Sequence, residues 1–216
     1  MKRLIILILP LILTGCNFDK ETSVLVLPTN NGSIEEAREE EDQKEKQVKN
    51  EDKNILVFPV DDFKNRITKK SFGDYITPKN SSVQPERFNG YHTGVDVEYE
   101  DVEVDVLVRS IADGIVLYSG WISDYGGVVV VNHEIEENNY TVIYGHIKQL
   151  SLIKKGIEVI AGEQIGVLGE GRTRETDGER KHLHFGLYKG GEINFKGYVQ
   201  NEDELSRWLD PLIVFK

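Results

Sequence analysis

The chain has 216 residues and a formal net charge of −11, from 37 acidic and 26 basic side chains. Binding to nucleic acid or to an anionic membrane surface depends on Lys and Arg, so we expect neither as a partner. The sequence contains one cysteine. A disulfide within the chain is therefore excluded, and stability outside the cytoplasm must come from other interactions.

Residues 1–15 have the layout of a secretory signal peptide. Lys2 and Arg3 precede the apolar run 4–13, which small residues follow. This run is shorter than the about 20 apolar residues that a membrane-spanning helix needs. Its end, Leu13-Thr14-Gly15-Cys16, resembles a bacterial lipobox. That resemblance implies lipidation of Cys16 and a lipoprotein of the cell envelope, anchored to a membrane on its extracytoplasmic side.

Residues 16–54 are polar and charged, above all between positions 35 and 46, and lack an apolar periodicity. This composition predicts a disordered, acidic tether with transient helix. A flexible chain of about 35 residues has a typical end-to-end distance of roughly 30 to 35 Å. Such a tether can carry a domain from the lipid surface toward the cell wall, although a simple solubilising spacer has the same composition.

From residue 55 to residue 216, short β-branched or aromatic runs alternate with Gly, Asn or Asp, which predicts one mostly β domain. The predicted strands are 104–108, 114–118, 128–132, 140–146, 164–168 and 182–188. Spacing this close leaves no room for helical crossovers, so we expect an antiparallel sheet. A short helix is predicted only at 202–209.

The strand at 182–188 separates two kinds of side chain by alternation. His182 and His184 share one face, whereas Leu183, Phe185 and Leu187 share the other. One face can pack in a core while the other binds. Two imidazoles at this spacing allow one to ligate a metal and the other to act beside it, although histidine pairs also occur as ordinary surface or core residues.

A second cluster places His92 and Asp96 four residues apart, which is same-face spacing on a strand and also on a helix turn. Gly94 and the β-branched neighbours favour the extended form. Together with His184, these residues give two nitrogens and one oxygen. Zinc accepts this set in tetrahedral geometry, with water at the fourth position, as in catalytic sites.

Two further histidines lie on predicted strands. His146 ends the strand 140–146 on the side of Tyr144, and we expect it to face the same groove as His182. His133 follows the apolar run 128–131, and we interpret it as a structural or turn histidine, the usual role of an isolated one.

The motifs H-x-x-x-D, Y-G-H and H-L-H-F occur in that order, and residues 72–212 resemble the lysostaphin and LytM-type zinc endopeptidases. This resemblance implies an open antiparallel β-sheet or sandwich with a groove over one zinc ion per domain. It matches His92, Asp96 and His184 to the zinc ligands, and His146 and His182 to the unliganded catalytic histidines. The implied substrates are peptidoglycan stems and cross-bridges, with other cell-envelope proteins as further partners.

The resemblance implies a zinc metalloendopeptidase, but three alternatives remain. A non-catalytic or latent module of this type binds peptidoglycan or regulates another cell-wall hydrolase. The same zinc site can also cut a protein or a different linkage of the cell wall. The spacing of glycine and apolar residues in 155–166 also resembles a turn of lipoyl and biotinyl carrier domains. A carrier domain would not explain the histidines.

Two segments depart from the family pattern. The loop 171–181 before His182 is long and charged, and the stretch 76–88 before His92 is unusual. We expect both to border the groove, where they would affect substrate preference or make the site latent.

Overall fold

The computed structural model describes residues 55–215. The predicted signal peptide 1–15, the lipidation site Cys16 and the tether 16–54 lie outside the described residues. In the part of the chain that is described, no helix has the length and apolar character needed to cross a membrane.

Strands dominate residues 55–215, as the sequence predicts. The strands are β1 Tyr75–Ile76, β2 Gly90–His92, β3 Val95–Glu98, β4 Leu107–Arg109, β5 Gly114–Ile122, β6 Gly126–Ile135, β7 Asn138–Ile147, β8 Glu158–Val159, β9 Gln164–Val167, β10 His182–Lys189, β11 Tyr198–Val199 and β12 Trp208–Leu209. The helical turns are the 3-10 turns Gln149–Ser151 and Arg174–Thr176 and the α-helices Glu202–Leu205 and Pro211–Val214.

These strands form open antiparallel sheets, which confirms the predicted fold class. The largest is a 7-stranded sheet in the order β12-β10-β7-β6-β5-β8, with β3 also paired to β10. Smaller sheets join β1-β2-β11 and β4-β9. Strand β10 is second from one end of this order, with β7 along one edge and β3 and β12 along the other.

Two of the predicted elements are wrong. The strand predicted at 104–108 begins only at Leu107, and Val104 is exposed. The helix predicted at 202–209 ends at Leu205, because the following residues pair with β10 as β12. Burial of Trp208 against Tyr188, at a ring-centroid distance of 5.0 Å, stabilises this pairing. Local sequence propensity does not include such a tertiary contact.

The alternation predicted for β10 is confirmed. Leu183, Phe185 and Leu187 are fully buried in the main hydrophobic core. Both ends of the described chain add to this core: Phe63 packs 5.6 Å from Phe185 between ring centroids, and Phe215 packs 5.4 Å from Phe63. The apolar face of β10 is therefore fixed, and its opposite face is left for the histidines.

A β-bulge in β7 changes the direction of His146. Val128 pairs with Gly145 but Gly127 pairs with Ile147, so His146 is an extra residue without a partner in β6. Its φ of 63° lies in the left-handed region. The predicted placement of His146 on the side of Tyr144 is therefore wrong, because Tyr144 lies in the core whereas His146 lines a cavity. Bulges commonly redirect a side chain in this way beside active sites.

His133 is a buried structural residue. Its Nδ1 donates to the Asp113 carbonyl at 2.9 Å, and its Nε2 accepts from the Tyr144 hydroxyl at 3.2 Å. The Ile111 amide in turn donates to the Tyr144 hydroxyl at 3.1 Å. Burial lowers the pKa of His133 to about 4. The fold therefore holds this imidazole in its neutral form.

We predict that His133 makes the protein less stable in acid. In the unfolded chain its pKa is about 6.5, so the stability that neutral His133 contributes is complete above that pH and is lost as the pH falls toward 4. The loss at pH 5 is about 2 kcal/mol. Urea unfolding at about pH 5 and about pH 7.5 should show a smaller pH effect for His133→Gln than for the wild type. Equal pH effects in both proteins would contradict this prediction.

Candidate metal centre

The strands beside β10 bring the predicted ligands together. Asp96 of β3 and Gly145 of β7 lie directly opposite His184 in the two ladders, so all three share one face of the sheet. His92 ends β2, and a bend at residues 93–94 separates it from β3. The single strand expected for His92 and Asp96 is therefore wrong, although both residues reach the same place.

Three donor atoms form a small, nearly regular triangle. The His184 Nδ1 atom lies 3.1 Å from both His92 Nε2 and Asp96 Oδ1, and the last two atoms are 3.3 Å apart. Zinc at 2.0–2.1 Å from tetrahedral ligands requires donor atoms about 3.3 Å apart. All three residues are buried, and together they form a potential metal-binding group. The residues present therefore fit a zinc ion.

A hydrogen bond to the backbone orients the ring of His92 toward the other two donors. Its Nδ1 donates to the Ser71 carbonyl at 3.2 Å, which leaves the lone pair of Nε2 directed at the other two donors. Metal-binding histidines commonly fix their tautomer through such a bond to a backbone carbonyl. His184 presents Nδ1 to the same point, and within residues 55–215 its buried Nε2 has no hydrogen-bond partner.

Arg180 holds the carboxylate of Asp96 in place. Its Nη2 donates to Asp96 Oδ2 at 2.7 Å, so Oδ1 is left for the triangle. The same guanidinium donates to Glu98 through Nη2 at 2.6 Å and Nε at 2.8 Å. All three side chains are buried. Burial opposes ionisation of Asp96, but the basic side chains around it hold its pKa well below the ordinary value. Asp96 is therefore ionised.

His146 and His182 form a pair beside the triangle, as expected. Their ring centroids are 4.2 Å apart. His182 Nδ1 donates to the Arg180 carbonyl at 2.8 Å, and its Nε2 lies 3.5 Å from Asp96 Oδ2. Burial lowers the pKa of His146 to about 3 and that of His182 well below its ordinary value. Both rings are neutral at pH 7, and a free lone pair remains on His182 Nε2.

A cavity of about 240 Å³ opens over these groups. Its lining residues are His146, His182, His184, Asp96, Arg180, Lys70, Phe88, Ser123, Asp124, Tyr125, Glu179, Phe195, Lys196, Gly197 and Tyr198. The stretch 76–88 contributes Phe88, and the loop 171–181 contributes Glu179 and Arg180. Both segments therefore border the cavity, as predicted.

An ion pair and aromatic packing hold the stretch 76–88 against the rest of the site. Glu86 Oε2 lies 2.6 Å from Lys70 Nζ, and both side chains are buried. Phe88 stacks on Tyr198 at 5.1 Å, and Tyr198 lies 5.2 Å from His92. These packed aromatic rings make Phe88 a fixed wall of the cavity.

Sequence reasoning missed Arg180 and Glu98. The available signal was spacing, because Arg180 is two residues before His182 and Glu98 is two residues after Asp96. On paired strands these positions face the same side as the predicted ligands. Two opposite charges at such positions indicate a buried ion pair next to the site.

We predict that Arg180→Met lowers the free energy of unfolding by about 3–5 kcal/mol, because it removes the guanidinium that the buried Asp96 and Glu98 carboxylates share. The double variant Arg180→Met with Glu98→Met should be more stable than this single variant, since one of those carboxylates is removed. Urea unfolding in the presence of a chelator measures both, because no metal then compensates Asp96. A single variant as stable as the wild type would contradict the buried ion pair.

Comparison with known proteins gives one family. Residues 90–195 match peptidase family M23. The chain is 38% identical over 102 residues to the uncharacterized protein NMB1333 of Neisseria meningitidis, a match that covers 47% of this chain and 14% of that protein.

Proteins of known structure that are similar to this chain in fold include Csd3 and LytU. Csd3 of Helicobacter pylori is 28% identical, with a TM-score of 0.46 over 74% of this chain and 33% of that chain. LytU is 24% identical, with a TM-score of 0.45 over 68% of this chain and 81% of that chain. The chain thus spans only part of the Neisseria and Helicobacter proteins.

Proposed function

Since this chain belongs, through residues 90–195, to peptidase family M23, we propose that it is a zinc-dependent endopeptidase that hydrolyses peptide bonds in peptidoglycan stems or cross-bridges. The observation that carries the proposal is the triangle of His92, Asp96 and His184 donor atoms beside two neutral histidines. Asp96, His184 and the two unliganded imidazoles line one cavity. This arrangement suits metal-assisted hydrolysis.

In this proposal His92, Asp96 and His184 hold the zinc ion. When bound, zinc lowers the pKa of a water molecule to about 7 and polarises a carbonyl group. Arg180 donates a hydrogen bond of 2.7 Å to one oxygen of Asp96, so that the carboxylate offers the other oxygen as a ligand.

His146 and His182 transfer the proton. The Arg180 carbonyl fixes the tautomer of His182, so that Nε2 can accept a proton from the attacking water. The ring centroids lie 4.2 Å apart in a buried site, so protonation of one ring disfavours protonation of the other. The pair therefore takes up one proton from water and returns it to the leaving amine.

Metal content and cleavage of purified peptidoglycan test this proposal in the full chain. We expect about one zinc per wild-type chain, with release of peptide fragments. His184→Ala should lose both the metal and the activity, because it removes one of three ligands. His146→Ala should keep the zinc while cleavage falls about 10²- to 10⁴-fold, the usual contribution of a proton-transfer group.

Each of the other outcomes would contradict a different part of the proposal. Zinc without cleavage in the wild type would favour the latent or non-catalytic module. Cleavage of other peptides but not of peptidoglycan would keep the zinc site and change the substrate. Full activity of His146→Ala would refute its role in proton transfer, and absence of zinc from the wild type would refute the ligand set.

We also propose that the protein is a lipoprotein of the cell envelope, anchored through Cys16 and tethered by residues 16–54, with other envelope proteins as partners. The lipobox-like sequence at residues 13–16 supports this proposal. Peptidoglycan, the proposed substrate, lies within reach of a domain that is tethered there.

Cys16→Ser should move the protein from the membrane fraction to the soluble fraction, because it removes the acyl acceptor. Fractionation followed by mass spectrometry of the N-terminal peptide measures both location and lipid mass. Asn17→Ser is the matched control, since it leaves the thiol unchanged. Membrane retention of Cys16→Ser without attached lipid would contradict the anchor.

A further inference from the structure

Tyr125 occupies a slot between the metal centre and the histidine pair. Its ring centroid lies 5.2 Å from that of His184 and 5.7 Å from that of His146. Two glycines leave room for it: a Cβ added at Gly145 would lie 2.6 Å from Tyr125 Cδ1, and one added at Gly197 would lie 2.8 Å from its hydroxyl oxygen. The ring is therefore held in one position at the cavity wall.

The Tyr125 hydroxyl is buried and, among residues 55–215, has no hydrogen-bond partner. Other tyrosine hydroxyls do have partners. Tyr144 bonds His133 and Ile111, Tyr99 donates to the Asp61 carbonyl, and Tyr198 accepts from Lys70. Leaving a buried hydroxyl unpaired costs free energy, and such groups in native proteins call for an explanation.

The charged donors that line the cavity already have partners. Arg180 is bonded to Asp96 and Glu98, and Lys70 Nζ lies 2.6 Å from Glu86. Lys196 donates to Glu204 at 2.7 Å. His146 and His182 are neutral and accept protons in the proposed mechanism. Tyr125 is thus a lining donor with its hydrogen still available, and a phenol with an ordinary pKa of about 10 is protonated at neutral pH.

We propose that Tyr125 is a catalytic residue whose hydroxyl donates a hydrogen bond to the oxygen of the scissile carbonyl as negative charge develops there. This inference rests on the proposed peptidase function and adds a specific donor to it. Tyr125 lines the same cavity as His182 and His184, where the reacting carbonyl must lie. A fixed donor in a buried site stabilises the transition state more than the substrate.

Tyr125→Phe in the full chain tests the proposal, because it removes only the hydroxyl. We expect kcat for a cross-linked stem peptide to fall about 10²- to 10³-fold, the usual loss for one such donor, with little change in KM. Zinc content should stay the same. The melting temperature should stay the same or rise, because an unpaired buried hydroxyl has been removed.

Tyr99→Phe is the matched control, since its hydroxyl donates to the Asp61 carbonyl away from the cavity. This change should lower the melting temperature and leave kcat unchanged. Wild-type kcat in Tyr125→Phe would overturn the proposal. A lower melting temperature for Tyr125→Phe would do the same, because it would mean that the hydroxyl has a structural partner.

Binding of a phosphinate peptide gives a second readout that needs no turnover. Its tetrahedral, charged centre mimics the transition state, so Tyr125→Phe should weaken its binding about 10- to 100-fold, as expected for a hydrogen bond to a charged group. The uncleaved peptide should bind both proteins equally. A wild type that binds the phosphinate but cleaves nothing would refute the proposed function alone, and equal phosphinate affinities would refute the role of Tyr125.

Discussion

Asp96 places an ionised carboxylate in the interior of the protein, where only 2% of the residue is exposed. An isolated buried carboxylate is very unfavourable, so every oxygen needs a partner. Arg180 bonds one oxygen, and the nitrogens of His92 and His184 surround the other at 3.1–3.3 Å. His92, His184 and Arg180 of the loop before β10 are all placed so that they satisfy this one charge.

The sheet makes that arrangement possible because β10 has a different neighbour on each edge. Its apolar residues are buried in the core, which directs His182 and His184 to the opposite face. These features were predictable from alternation alone. The cluster of His92, Asp96 and His184 was predictable from residue type and spacing, since two imidazoles and a carboxylate are a donor set that zinc accepts.

Other features depend on contacts that no local pattern contains. The direction of His146 follows from a register shift between β6 and β7, which only the pairing of the two strands reveals. Strand β12 replaces the end of a predicted helix because Trp208 packs on Tyr188. Tyr125 follows the end of β5 by three residues and reaches the cavity only because Gly145 and Gly197 leave space for it.

The bulge at His146 has a consequence for protein engineering. A non-glycine residue at a φ of 63° costs of order 1–3 kcal/mol in backbone strain. A sequence optimised for thermal stability alone would therefore place glycine at this position. That choice would delete the imidazole facing His182 and leave the fold intact. Automated stabilisation of this chain should accordingly keep position 146 fixed, because here the more stable backbone and the side chain proposed for proton transfer are competing design goals.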